Sequence, residues 1–119
     1  MVRGIRGATT IKKDTVDNIA GSTQELLTAM VKENGIEISD LASAIFTATP
    51  DITSHYPAQA AREMGWEHVP LLCFQEMNVK GALPMCIRVL LLINTDKSQK
   101  EIRHIYLHGA SGLRKDIEQ

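Results

Sequence analysis

The chain has 119 residues, and its 13 Lys and Arg nearly balance 14 Asp and Glu, for a formal net charge of −1. That length supports a single domain over residues 1–119 and leaves no room for a second core. The scattered, near-neutral charge and the scarcity of aromatic residues exclude a basic nucleic-acid-binding stripe, and no apolar run approaches the ~20 residues of a membrane span.

Residues 2–10, VRGIRGATT, read as a first strand, with Thr9, Thr10 and Ile11 favouring extended backbone. Gly4 and Gly7 flank Arg6 and suggest a bulge or a close approach of another backbone, with room for a ligand beside a long cationic side chain. No G-K-[ST] follows GIRG, so it is not a phosphate loop. A long helix is expected from Thr15 to Asn34, capped by Asp14 or Thr15, with Asp17 in its first turn. Ile19, Thr23, Leu26, Leu27 and Met30 form its apolar stripe, and Asn34-Gly35 stops it. Ser39-Asp40 caps a short turn, and residues 42–48 read as a second strand that Thr49-Pro50-Asp51 ends. Pro57 opens a short helix that carries Arg62 and ends at Gly65.

Val69 to Glu76 and Met85 to Asn94 read as the third and fourth strands, joined by a loop from Met77 to Pro84. Ser98 and Glu101 form a capping box, Arg103 to Leu107 a fifth strand, and Gly109 and Gly112 loosen the tail. His104 and His108 are four apart; on a strand rising about 3.3 Å per residue they stand ~13 Å apart, so no shared metal is expected. Cys73 and Cys86 match no zinc or redox spacing and read as free buried thiols of a reducing compartment. Met1-Val2-Arg3-Gly4 leads straight into the first strand, so a signal peptide is not expected and the reading is cytoplasmic.

The third and fourth strands, VPLLCF and CIRVLLLI, are apolar without alternation, as strands buried on both faces are. Yet Arg88 sits inside one and Glu76 ends the other. A guanidinium in a sheet interior costs several kcal/mol, roughly, unless an anion and hydrogen bonds compensate it. Two readings follow: an internal Arg88–Glu76 ion pair, or a pocket for an anionic small molecule. One long and one short helix cannot cover both faces of such a sheet. A large exposed apolar face is rare in a soluble monomer, so the second face is expected to pack on identical subunits.

The strings RGIRGATT, ATPD followed by YPA and R, CFQEM, CIRV, and IRHIYL ending in LR together resemble the AroH-type, monofunctional chorismate mutases, in order from Arg3 to Arg114. The resemblance implies an α/β (α+β) fold, a mixed five-stranded sheet with one long and one short helix, assembled as a trimeric pseudo-α/β barrel with sites in the clefts between subunits. It implies rearrangement of chorismate to prephenate, with no cofactor and no metal. By the same resemblance, Arg88 reaches the breaking ether oxygen and a carboxylate, Arg6 and Tyr106 bind carboxylate, and Glu76 accepts from the substrate hydroxyl with Cys73 beside it. Tyr56 and Ala58 line the wall, Leu113 lies near the ring, and Arg62 and Arg114 add positive potential at the mouth. Gln59 stands where the family often has lysine, Tyr56 where it commonly has phenylalanine, and Leu72 where a hydroxyl residue can occur. Two rival classes are a Rid-type enamine/imine deaminase, whose sequence blocks are absent, and a non-catalytic trimer that binds an aromatic-pathway metabolite.

Overall fold

The computed structural model describes residues 1–113, so Arg114 lies outside the described residues. Five strands form one mixed sheet: β1 (Val2–Thr10), β2 (Leu41–Ala48), β3 (Leu71–Gln75), β4 (Cys86–Asn94) and β5 (Ile105–Tyr106), in the order β3-β2-β4-β1-β5. β4 runs antiparallel to both β1 and β2, while β3 and β5 join the edges in parallel. Two helices, α1 (Val16–Asn34) and α2 (Pro57–Glu63), pack on one face. No described helix is long and apolar enough to cross a membrane.

Local chemistry sets the helix ends. The Thr15 hydroxyl accepts the Asn18 N–H, which makes Thr15 the N-cap of α1, and Gly35 takes the left-handed conformation that closes it at φ 57°. The expected stripe of Ile19, Thr23, Leu26, Leu27 and Met30 is buried. Pro57 begins α2, where a missing N–H leaves nothing unsatisfied. Ser98 and Glu101 form the capping box expected of them around a 3-10 turn, Gln99–Glu101. The other capped turn differs: Ile38–Asp40 is a 3-10 turn whose box is made by Glu37 and Asp40, not by Ser39.

Burial divides the sheet. Ile5, Phe46, Val89, Leu91 and Ile93 face the helices and, with Leu26, Leu27, Met30 and Trp66, form the main core. Register places the alternate residues on the opposite face: Gly4, Arg6 and Ala8 stand across from Leu92, Leu90 and Arg88, and Ile45 and Thr47 across from Leu72 and Phe74. Burial of these strands on both faces is therefore not found within one chain. Leu72 and Phe74 are 51% and 53% exposed, and Leu90 and Leu92 are half-buried.

Four further expectations are corrected. β1 pairs with β4 without a bulge; the register shift lies in β2, between Leu41 and Ser43. Gly7 makes room for the core, not for a ligand, since a Cβ there would lie 2.4 Å from the Met30 sulfur. β5 shrinks to two residues because side chains replace its ladder bonds. The Asn34 amide bonds both the N–H and the C=O of Arg103, at 2.8 and 2.9 Å, and His104 Nδ1 accepts the Arg6 N–H at 2.9 Å. After β5 the chain forms a 3-10 turn, His108–Gly112, in place of a loose tail.

Candidate active site

The uncovered face gathers four of the expected residues. Arg88, in mid-β4, stands across from Ala8 on β1 and Thr47 on β2. Arg6 occupies the diagonal position on β1, and Tyr106 stands across from Ala8 on the β5 side. Ala8 is small enough to leave space between Arg88 and Tyr106. Glu76 arrives from the end of β3, where its N–H donates to the Ala48 carbonyl at 2.9 Å and extends the ladder past Gln75. Arg6, Arg88, Glu76 and Tyr106 line one hollow of about 310 Å³ over apolar contributions from Ala8, Ile45 and Leu90.

The Arg88–Glu76 pair expected as one reading of the buried charge exists, with Nε 3.5 Å from Oε2. Its side chains are 43% and 28% exposed, and Arg88 Nε, itself buried, makes no hydrogen bond among the described residues. A part-exposed pair of this length contributes little stability. Two guanidiniums and a phenol supply donors for carboxylates, one carboxylate accepts from a hydroxyl, and the apolar floor suits a carbon ring. A small, multiply anionic, hydroxylated molecule satisfies all of them.

The remaining described candidates do not line this hollow within one chain. Tyr56, Ala58, Arg62 and Cys73 line another, of about 320 Å³, between α2 and the edge strand β3. Tyr56 is 70% exposed. Burial pushes the Cys73 thiol up, against the Ala58 N–H and the Arg62 charge that pull it down, so it is a neutral thiol at pH 7. Burial raises Cys86 in the same way. Arg62 donates to Gln59 Oε1 at 3.3 Å. Leu113 ends the described chain against the cluster of Ala8, Cys86 and Ala110, which Tyr106 also joins.

Sequence reasoning missed three supporting residues. Thr47 donates to Glu76 Oε2 at 2.6 Å. His104 holds the Arg6 backbone, as described above. Asp14 accepts the N–H groups of Thr53 and Ser54 at 3.0–3.1 Å and the Thr53 hydroxyl at 2.9 Å, tying down the loop that delivers Tyr56. Burial opposes ionisation of Asp14, but these hydrogen bonds outweigh it and hold the carboxyl below the usual carboxylate range. Asp14 follows a strand and precedes a helix, which pointed to a cap; only the spatial approach of residues 53–54 shows its other use.

Fold and hollow together define a mixed-sheet α+β domain with two arginines, a glutamate and a tyrosine gathered on the uncovered side of its sheet. The family profile described as chorismate mutase type I matches residues 2–117. The chain is 52% identical over 119 residues to chorismate mutase AroH of Thermus thermophilus, across 99% of this chain and 98% of that one. It is 45% identical over 118 residues to chorismate mutase AroH of Bacillus subtilis (strain 168), across 98% of this chain and 93% of that one. A solved chorismate mutase from Clostridium thermocellum superposes with a TM-score of 0.89 at 50% identity, covering 90% of this chain and 96% of that one. The chain belongs to the type I chorismate mutase family.

Proposed function

We propose that this protein isomerises chorismate to prephenate, on the route to phenylalanine and tyrosine, at sites completed between the subunits of a cytoplasmic homotrimer. The observation that carries the reading is the convergence of Arg6, Arg88, Glu76 and Tyr106 on an apolar floor that the chain's own helices leave uncovered. The substrate brings two carboxylates, a hydroxyl and a breaking ether bond. Its rearrangement is pericyclic, so the protein supplies neither nucleophile nor proton transfer.

The residues act by holding and by charge. Arg6 and Tyr106 bind carboxylate and keep the enolpyruvyl arm folded over the ring, which brings the reacting carbons near contact. Glu76 accepts from the ring hydroxyl. Arg88 directs its guanidinium at the ether oxygen, where negative charge grows as the C–O bond breaks. Packing of the apolar face against a neighbouring subunit brings that neighbour's Tyr56, Ala58, Arg62 and Cys73 to the hollow, with Leu113 near the ring and the charge of Arg62 at the mouth. The exposure of Leu72, Phe74 and Tyr56 in the single chain supports such an assembly.

The test is the loss of chorismate absorbance on adding purified protein, with molar mass measured by light scattering on the same sample. Turnover and a trimeric mass are expected. A folded protein without turnover overturns the activity, and a monomeric mass at micromolar concentration overturns the assembly.

A further inference from the structure

Glu76 and Arg88 face a conflict that their charges create. A carboxylate beside a guanidinium closes to a charge-assisted bond of about 2.7–2.9 Å when nothing prevents it. A closed pair would turn the guanidinium away from substrate and occupy the oxygen that the substrate hydroxyl needs. Here the contact stays open at 3.5 Å, and Arg88 Nε is buried without a hydrogen bond among the described residues. What Glu76 Oε2 does accept is the Thr47 hydroxyl, at 2.6 Å. Thr47 is directly across the ladder from Arg88, on the same face, and lines the same hollow.

We infer that Thr47 is a positioning residue: its hydroxyl pins Oε2 of Glu76, holds the carboxylate short of full pairing with Arg88, and leaves Oε1 for the substrate hydroxyl. This rests on the proposed roles of Glu76 and Arg88. Thr47 stands midway between β3, which delivers the carboxylate, and β4, which delivers the guanidinium. A β-branched residue suits this central strand for its shape alone, and valine has the same shape. The hydroxyl is therefore what the site uses.

A double-mutant cycle tests it, with chorismate turnover as the readout and circular dichroism confirming the fold of each variant. Thr47→Val removes the hydroxyl at nearly constant volume and is expected to lower kcat/KM roughly 10–100-fold, the worth of a hydrogen bond to a charged group. Thr47→Ser keeps the hydroxyl and stays near the parent, a rescue that shape alone does not provide. In a Glu76→Ala background the further change Thr47→Val is expected to do almost nothing, because the carboxylate it positions is gone. Parental turnover by Thr47→Val overturns the inference. So does an undiminished loss in the Glu76→Ala background, which would mean that Thr47 acts without Glu76. A Glu76→Ala protein as active as the parent would instead remove the reading of Glu76 on which the inference stands.

Discussion

The two faces of this one sheet obey different rules. On the helix side, Ile5, Phe46, Leu91 and Ile93 meet Leu26, Leu27 and Met30, and all are fully buried. On the other side, alternate residues of these strands and of β5 carry two arginines, a tyrosine and half-exposed leucines, which neither α1 nor α2 covers. Burial of a large apolar side chain contributes about 1.5–3 kcal/mol, so the helix side holds the chain together. The open side keeps the polar groups that line the hollow. Strand alternation lets nine residues of β4 serve both purposes, with Val89 in the core and Arg88 in the hollow.

The contrast predicts that substitutions on the helix side change stability and leave rate alone, while those on the open side do the reverse. The largest stability effect is expected of Leu27→Ala, which opens a cavity in the main core. It should lose about 2–5 kcal/mol in denaturant titration, with parental turnover per folded molecule. Arg88→Ala should lower kcat by roughly 10²–10³ or more with little change in the melting temperature. Arg88→Lys should remain badly impaired, since it keeps the charge but loses the planar fork. Melting loss without rate loss would assign this arginine to the structure and erase the distinction between the faces.

A smaller effect sharpens the boundary. Gly7 lines the hollow, but its missing Cβ faces Met30 and Leu26. Gly7→Ala is therefore expected to destabilise by about 1–3 kcal/mol through overpacking, with KM unchanged; a raised KM at constant melting temperature would place the glycine on the substrate side. The smallest effect concerns Cys73. Burial disfavours its thiolate, so at any pH near neutrality less of it is ionised than of a free cysteine. Alkylation should be slower than for a free thiol at pH 7 and should accelerate only above the ordinary cysteine range. Cys73→Ser should stay largely active, because the neutral group has no nucleophilic part in the reaction.

Much of this was legible in the chain because local chemistry governs it. Thr15, Gly35 and Pro57 set helix ends by backbone geometry that neighbours barely alter. The misplaced charge of Arg88 was readable before any contact was known, and the fold brings it to the hollow. Two things were not legible. An apolar residue carries no sign of whether its cover is its own helix or another copy, so Leu72 and Phe74 read as buried. Long-range side-chain bonds also leave no local trace. The Asn34 amide takes both backbone groups of Arg103 and thereby shortens β5, across a separation of 69 residues. Thr47, for the same reason, read as one more strand residue. Arg6, Arg88, Glu76 and Tyr106 meet in one chain, whereas Tyr56, Ala58, Arg62 and Cys73 stand apart from them, and Arg114 lies outside the described residues.

The strand order has a further consequence during synthesis. β1 leaves the ribosome first, yet it lies between β4 and β5, the last two strands made. Neither of its edges can pair until β4 begins at Cys86. At roughly 5–20 residues per second, that strand spends several seconds as an unpaired template, the state in which neighbouring nascent chains can pair with it. Arg6 waits for β4 and β5 to follow before it has a pocket to belong to. Stalled or truncated products ending before residue 86 should therefore aggregate, while the finished chain closes its own sheet.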